Sequence, residues 1–269
     1  MNKQENIITV TNLTKKFSKF TAVNRITFNV DRGEIFAFVG PNGAGKTTTI
    51  KMLITLLAPS SGDAIIDGHS IIKNPGDVRR VIGYIPQMIS ADGSLTAQEN
   101  LMLMAKLYDI PAKERRKRIE EVLTFLDFKA VSKTLVRNFS GGMVRKLEVG
   151  QAILHHPPIL FLDEPTSGLD PIARRSVWKH LFELRKQFGT TIFFTTHYME
   201  EAEEVSDRVA IMHLGNIAAI GTVDELRKKT GRDNASLEDA FIHFTGIAMQ
   251  EKGNLRDIRQ MREVERKLG

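Results

Sequence analysis

Apolar and polar positions follow two alternating patterns along most of the chain. Continuous apolar runs predict strands buried on both faces at 34–40, 157–165 and 190–197. Apolar positions with helical spacing follow the first two runs, at 46–62, where Pro59 ends the predicted helix, and at 171–187. Because buried strands alternate with helices, the pattern predicts a twisted parallel sheet covered by helices on both faces.

The remaining segments predict further strands and one helical insertion in this α/β chain. Further strand patterns predict strands at 7–13, 26–30 and 81–87, a short hairpin at 62–71, and a hairpin at 208–222 that turns at Gly215 and Asn216. From about Asp92 to His156 the pattern is helical, with no strand between the helices. Helical spacing beyond Gly246 predicts an amphipathic terminal helix through Leu255, Ile258, Met261, Val264 and Leu268.

Composition narrows the class of protein without identifying it. A share of 42% hydrophobic and 26% charged residues is typical of a globular protein with a sizeable core. The absence of cysteine excludes disulfides and thiolate chemistry. No apolar run approaches the ~18 residues that a membrane span needs, so we expect a cytoplasmic protein that reaches a membrane only through a partner. The net charge of +6 is compatible with a nucleotide, a nucleic acid or an anionic surface.

The segment GPNGAGKTT satisfies the phosphate-loop pattern G-x-x-x-x-G-K-[ST] between a buried strand and a helix. Its glycines allow backbone N–H groups to curl around phosphate oxygens, Lys46 neutralises phosphate charge, and the Thr47 hydroxyl is suited to Mg²⁺. The predicted nucleotide contacts are therefore Gly40, Pro41, Asn42, Gly43, Ala44, Gly45, Lys46, Thr47 and Thr48.

Two other buried strands end in polar residues, one in a pair of carboxylates and the other in a histidine. Asp163 ends one strand, where we expect it to hold Mg²⁺, and Glu164 follows it as the candidate to orient or deprotonate water. His197 ends a neighbouring strand at the edge where open α/β sheets bind ligands, which favours a γ-phosphate contact over a purely structural role. Gln87 ends the segment 81–87 and by itself is an ordinary loop residue.

A second glycine turn, FSGGM at 139–143, also opens a helix. Ser140, Gly141 and Gly142 leave the backbone free to approach a ligand, and a helix N-terminus attracts phosphate. The chain thus has two phosphate-binding turns about a hundred residues apart in sequence.

Taken in order, these segments resemble the ATP-binding domains of ABC transporters from about Ile7 to Gly246. The matches are GPNGAGKTT to Walker A, YIPQ to the Q-loop, FSGGM to the signature, LFLDEP to Walker B, SGLD to the D-loop and TTH to the H-switch. The resemblance implies a P-loop NTPase (RecA-like) core with an N-terminal antiparallel β-subdomain and an inserted α-helical signature subdomain. It implies one ATPase domain, 1–246, in which 1–90 and 157–222 form the core and β-subdomain and 91–156 the helical subdomain, followed by a charged helical tail, 247–269.

The resemblance also implies a function for each turn. Two such domains pair head to tail, and each ATP–Mg²⁺ lies between one chain's phosphate loop and the other's Ser140–Gly142. Asp170 then communicates across the interface, and Gln87 joins Thr47 and Asp163 at the metal and senses the γ-phosphate. The segment LTKKF suggests that Phe17 stacks on adenine, with Phe20 as the competing candidate.

Several sequence segments, including EPTSGLDP and SLEDAF, are most similar to those of the daunorubicin-resistance-type (ABC-2) export branch. It implies an integral membrane permease as partner, a second ATP-binding subunit that is a copy or a paralogue, no nucleic acid, and a place on the inner face of the cell membrane. The alternatives are a soluble ABC ATPase not coupled to transport and a regulator that binds nucleotide without turnover. Met143 stands where many members carry glutamine, and its thioether cannot make the hydrogen bonds of that amide.

Overall fold

The computed structural model describes residues 5–246. The strands are β1 (Asn6–Phe17), β2 (Phe20–Asp31), β3 (Ile35–Val39), β4 (Ser61–Ile66), β5 (His69–Ser70), β6 (Ile82–Ile85), β7 (Ile159–Asp163), β8 (Thr191–Thr196), β9 (Arg208–His213) and β10 (Asn216–Gly221). The helices are α1 (Lys46–Leu53), α2 (Pro75–Val81), α3 (Ala97–Leu107), α4 (Ala112–Phe125), α5 (Gly141–Ile153), α6 (Pro171–Phe188), α7 (Met199–Val205), α8 (Val223–Lys228) and α9 (Leu237–Thr245). The terminal helix predicted beyond Gly246 lies outside the described residues.

The larger sheet has the strand order β10-β9-β3-β8-β7-β6. Neighbouring strands from β9 to β6 are parallel, whereas β10 is antiparallel to β9. All residues of β3, β7 and β8 are buried, and successive residues of β3 alternate between two apolar cores, one on each face. Burial on both faces explains why these strands read as continuous apolar runs, and it confirms the predicted α/β sheet.

The smaller sheet is antiparallel, with the order β2-β1-β4-β5. Its first two strands extend well beyond the predicted 7–13 and 26–30, because an irregularity in the pairing between Val10 and Leu13 interrupts the alternation. Asn12 has φ 49° there, and two exposed residues are followed by two buried ones. The two sheets share a core, since the Phe28 ring of β2 stacks 5.7 Å from the Phe36 ring of β3.

Helices α3, α4 and α5 form the predicted insertion, and their apolar faces join the core on one side of the larger sheet. Local capping fixes where two of them begin. The Thr96 hydroxyl accepts the backbone N–H of Glu99, whose carboxylate accepts the N–H of Thr96, so α3 starts with a capping box. The Ser140 hydroxyl accepts the N–H of Met143 and starts α5 at the signature turn.

The first helix is shorter than predicted, because α1 ends at Leu53 rather than at Pro59. Thr55 has φ 64°, a left-handed conformation that stops the helix. The N–H groups of Leu56 and Leu57 then return to the Lys51 carbonyl, at 2.9 and 3.0 Å. Apolar residues continue past this turn, so the sequence pattern does not reveal the stop.

The hairpin between β9 and β10 turns one residue earlier than predicted. Its turn residues are Leu214 and Gly215, with φ 45° and 77°. A two-residue turn of this kind needs positive φ at both positions, which glycine adopts readily and leucine does not. None of the helices within residues 5–246 is long and apolar enough to cross a membrane.

Candidate functional site

The phosphate loop leaves β3 and enters α1 through glycines that have no room for a side chain. A Cβ on Gly40 would lie 2.2 Å from the Met212 carbonyl oxygen, and one on Gly45 would lie 2.6 Å from the Ala22 carbonyl oxygen. Gly43 and Gly45 also have positive φ, 81° and 105°. The loop is therefore built from backbone, with a curvature that presents N–H groups, which is the cradle that phosphate oxygens require.

Of the remaining loop residues, Ala44 anchors the loop and the others differ in their exposure to solvent. Ala44 is buried, and its carbonyl accepts the N–H of Gly215 at 3.0 Å, which ties the loop to the β9–β10 turn. Asn42 and Gly43 are exposed at its tip, and Thr48 is half-buried in the first turn of α1.

Lys46 is only 5% exposed and lies inside the loop. Its ammonium donates to the carbonyls of Gly40 and Pro41, at 2.8 and 3.2 Å, and lies 3.6 Å from Oε1 of Glu164. Burial lowers the pKa of Lys46 more than the carboxylates of Glu164 and Asp163 raise it. A buried ammonium held mainly by neutral carbonyls is suited to bind an incoming phosphate, whose charge compensates the cost of burial.

Asp163 ends β7 and is 1% exposed. The hydroxyls of Thr47 and Thr195 both donate to its Oδ1, at 3.0 and 2.6 Å. The predicted metal residues Thr47 and Asp163 are thus in direct contact. A hydroxyl and a carboxylate side by side next to the phosphate cradle are the hard oxygen ligands that Mg²⁺ prefers.

Glu164 lies one residue beyond β7 in a left-handed conformation, with φ 48°. A non-glycine residue with this φ is strained and needs support from its surroundings. That support comes from Thr195, whose carbonyl and hydroxyl oxygens each lie 3.1 Å from the Glu164 N–H. The turned backbone directs the Glu164 side chain toward the phosphate loop instead of continuing the strand.

Side chains from three other segments converge on the Glu164 carboxylate. Gln87 donates its Nε2 to Oε2 at 3.0 Å, whereas Lys46 and His197 face Oε1, at 3.6 and 3.2 Å. Nδ1 of His197 is close to Oε1 but is not aligned with it as a hydrogen bond. The structure therefore brings together around one carboxylate the side chains predicted as catalytic.

Burial raises the pKa of Glu164, but the neighbouring His197 and the positive charge of Lys46 lower it by more. The net result is a pKa below the ordinary value for glutamate. Glu164 is therefore an ionised acceptor at neutral pH, as a group that orients water must be.

The signature turn is not joined to this cluster by hydrogen bonds in the described part of the chain. Within residues 5–246 no hydrogen bond joins Ser140, Gly141 or Gly142 to the phosphate loop. A Cβ on Gly142 would lie 2.8 Å from the Ala173 Cβ, so the turn packs against the start of α6. The side chain of Met143 packs against the apolar core that the helical insertion shares with one face of the larger sheet. It is an apolar contact, which accounts for a thioether at this position.

Asp170 and Phe17 stay predictions as nucleotide-site residues. Asp170 caps α6, since its Oδ1 accepts the N–H groups of Ile172 and Ala173, both at 2.9 Å. Phe17 ends β1 opposite Phe20, half-buried, with the Lys15 ammonium 5.1 Å from its ring centre. Phe20 is 57% exposed.

Sequence reasoning missed a buried ion pair that holds the Q-loop. Arg145 of α5 donates to the carbonyls of Pro86 and Gln87, at 2.7 and 2.9 Å, and pairs with Glu148 at 2.9 Å. The Glu148 carboxylate in turn accepts from the Ser90 hydroxyl at 2.9 Å. Opposite charges three residues apart on a largely apolar helix were the available signal, but the main-chain partners of Arg145 lie nearly sixty residues away in sequence. This pair joins the loop that carries Gln87 to the helix that begins at the signature turn.

Comparison with known proteins identifies the family. The family model described as "ABC transporter" matches residues 23–167, more than half of the chain. The chain belongs to the ABC transporter family. The matched segment includes the phosphate loop, the Q-loop, the signature turn and both Walker B carboxylates.

Curated ABC relatives are similar over most of the chain. The linearmycin resistance ATP-binding protein LnrL of Bacillus subtilis is 37% identical over 96% of this chain and 83% of its own. The daunorubicin/doxorubicin resistance ATP-binding protein DrrA of Streptomyces peucetius is 39% identical over 83% of this chain and 68% of its own. The chain spans 42% of the probable multidrug ABC transporter ATP-binding protein YbhF of Escherichia coli, to which it is 37% identical over 89% of its length.

Solved ABC structures share the fold. An ATP-binding subunit of an ABC transporter has a TM-score of 0.78 and 33% identity, covering 89% of this chain and 99% of its own. A dimeric ATP-binding cassette in a post-hydrolysis state with ADP and Pi has a TM-score of 0.70 and 26% identity, covering 80% of this chain and 98% of its own. The predicted P-loop ATPase architecture is thereby confirmed.

Removing one partner of the Arg145–Glu148 pair should destabilise the protein. The side chains are 6% and 1% exposed, so Arg145→Met leaves an uncompensated buried carboxylate and should cost about 3–5 kcal/mol. Urea unfolding without nucleotide measures the loss, and Arg116→Met, at an exposed position of the neighbouring helix, is the control. The double variant Arg145→Met/Glu148→Met should recover part of the loss. A double variant less stable than the single would contradict this account.

Proposed function

We propose that the chain is the ATP-hydrolysing subunit of an ABC-2-type exporter, working as a head-to-tail dimer on a separate membrane permease. The observation that supports hydrolysis best is the convergence of Lys46, Gln87 and His197 on the Glu164 carboxylate, directly beside the phosphate cradle. A merely nucleotide-binding site has no need of an ionised carboxylate held in a strained conformation.

Each residue has a distinct role in the proposed reaction. Glu164 orients a water molecule and takes its proton while the water oxygen bonds to the γ-phosphorus and the bond to the ADP oxygen breaks. Lys46 and the backbone N–H groups of the phosphate loop stabilise the phosphate charge. Thr47, Asp163 and Gln87 would hold Mg²⁺ through their oxygen atoms, and the ion would supply positive charge that neutralises the phosphates. His197 contacts the γ-phosphate and keeps it aligned with Glu164.

The dimer accounts for the second glycine turn. Ser140, Gly141 and Gly142 make no hydrogen bond to the phosphate loop of their own chain within residues 5–246, and they begin a helix. Placed opposite another chain's phosphate loop, their N–H groups and the α5 terminus would bind the γ-phosphate from the far side. A dimeric ABC cassette with ADP and Pi among the solved structures supports this arrangement.

The export role is supported by the relatives and by one exposed surface. LnrL and DrrA are resistance proteins by name, for linearmycin and for daunorubicin and doxorubicin. Met88 and Ile89, directly after Gln87, are 82% and 65% exposed. Such apolar side chains on the Q-loop suit contact with a permease, and Arg145 links the same loop to the signature helix.

Glu164→Gln should stop turnover while keeping ATP bound. Its amide cannot take the proton from water, so we expect a loss of steady-state hydrolysis on the order of 100-fold or more. ATP should then hold the variant as a dimer on size-exclusion chromatography, whereas Glu114→Gln, an exposed change on α4, should behave as wild type. A Glu164→Gln variant that stays monomeric with saturating ATP would contradict the shared site.

Mixing two inactive variants tests the shared site in a second way. Lys46→Ala removes one half-site and Ser140→Arg blocks the other, so each homodimer should be inactive. A mixed dimer has both defects in one composite site and none in the other, so an equal mixture should recover about a quarter of wild-type activity. Activity no higher than that of the separate variants would show that each chain completes its own site.

A membrane partner is the remaining test of the export role. Affinity purification of the tagged chain from detergent-solubilised membranes of its native host should recover an integral membrane subunit. Replacing Met88 and Ile89 by serine should weaken that recovery without lowering ATP affinity, because neither side chain belongs to the nucleotide site. Recovery with ribosomes or with scaffold proteins alone would point instead to a soluble ABC ATPase.

A further inference from the structure

A buried carboxylate outside the nucleotide site connects segments that carry the catalytic residues. Glu201 of α7 is 4% exposed. Its Oε1 accepts hydrogen bonds from the Thr166 hydroxyl and from the Trp178 indole N–H, the latter at 2.8 Å. Its Oε2 accepts from the Thr196 hydroxyl at 2.7 Å. No Lys, Arg or His forms an ion pair with Glu201 in the described part of the chain, so neutral donors alone compensate its burial.

The donors come from separate parts of the site. Thr166 lies in the loop that joins Glu164 to Asp170, and Trp178 lies on α6, the helix that Asp170 caps. Thr196 is the last residue of β8, immediately before His197. Glu201 therefore holds the segment after Glu164, the helix after the D-loop and the H-switch in one hydrogen-bond network.

The network fixes the backbone on both sides of His197. The Thr196 hydroxyl donates to Glu201 and accepts the N–H of Tyr198 at 3.0 Å. Because the residues before and after the histidine are joined through one hydroxyl, the direction of that hydroxyl sets the local backbone. Glu201 is the acceptor that sets this direction. In this geometry Nδ1 of His197 lies 3.2 Å from Oε1 of Glu164.

Only a carboxylate can accept all these hydrogen bonds. Its two oxygens are acceptors without a proton, whereas a glutamine amide has one oxygen and one NH₂ donor. If the amide oxygen faces Thr166 and Trp178, the NH₂ faces Thr196, and the hydroxyl proton of Thr196 loses its acceptor. If the amide is reversed, the NH₂ faces two other donors. Either orientation leaves a buried donor unsatisfied.

We propose that Glu201 is a positioning residue that holds His197 in its catalytic orientation and ties the H-switch to the loop between Glu164 and Asp170. This inference rests on the proposed ATP hydrolysis and extends it to a residue that touches neither nucleotide nor metal. Glu201 acts through Thr196, and its removal affects turnover because His197 is no longer aligned with the γ-phosphate.

The first test compares Glu201→Gln with wild type in steady-state ATP hydrolysis. We expect kcat to fall about 10-fold or more, as when other supporting hydrogen-bond partners of active-site residues are removed, with KM for ATP within about twofold of wild type. Glu204→Gln, an exposed change on the same helix, should leave both constants unchanged. Wild-type kcat in Glu201→Gln would overturn the proposal, and so would a loss confined to KM.

A double-variant cycle asks whether Glu201 acts through His197. The variant Glu201→Gln/His197→Ala should be no slower than His197→Ala alone, because the residue being positioned is already gone. If the double variant is slower by the full factor of Glu201→Gln, then Glu201 acts elsewhere and the proposal is wrong.

Thr196 provides a pair of variants that does not disturb the carboxylate. Thr196→Val keeps the shape of the side chain and removes the hydroxyl, so it should reproduce the loss of kcat, whereas Thr196→Ser keeps the hydroxyl and should restore it. This pair decides the question if Glu201→Gln does not fold. Trp178 is the single tryptophan of the chain, so its fluorescence emission shows whether its hydrogen bond to Glu201 stays intact in the Thr196→Val and Thr196→Ser variants. Equal activity of the valine and serine variants would overturn the proposal, whereas absence of turnover in wild type would overturn the proposed function itself.

Discussion

The site depends on the order of three neighbouring parallel strands. In the sequence β3, β7 and β8 are far apart, but in the sheet β8 lies between the other two. The pairing register sets Thr195 opposite both Phe38 and Asp163, so the strands end at the same level. The phosphate loop, the Walker B carboxylates and the H-switch therefore leave the sheet side by side. Each functional contact then needs only a short turn beyond the end of its strand.

These central strands hold the site residues in fixed positions, but they are themselves rigid. Since every residue of β3, β7 and β8 is buried on both faces, these strands cannot shift without opening a core. In the proposed function, the parts that respond to nucleotide are therefore the attachments: the Q-loop, held through its main chain by Arg145, and the H-switch, held through Thr196. Both are connected to helices, the Q-loop to α5 and the H-switch to α7, so the proposed function routes a change at the phosphate to these helices rather than to the sheet.

Much of the fold was predictable because its signals are local. A phosphate loop between an apolar strand and a helix, and a carboxylate pair after another apolar strand, are contiguous in sequence, and topology brings them together. What could not be predicted depends on contacts distant in sequence or on backbone conformation. The left-handed Glu164, the Arg145–Glu148 pair and the acceptor role of Glu201 leave no periodic pattern, since a buried charge on a helix reads as an ordinary polar position. The early end of α1 was missed for a related reason, because the apolar residues continue through the turn at Thr55.

The way in which Arg145 holds the Q-loop has a consequence for how such a protein can diversify. Its guanidinium binds the carbonyl oxygens of Pro86 and Gln87, which every amino acid provides. The exposed side chains at Met88 and Ile89 take no part in that attachment and can be exchanged without loosening it. In the proposed function, one ATPase scaffold can therefore acquire a new membrane partner by substitutions at its surface while the connection between nucleotide and signature helix is inherited intact.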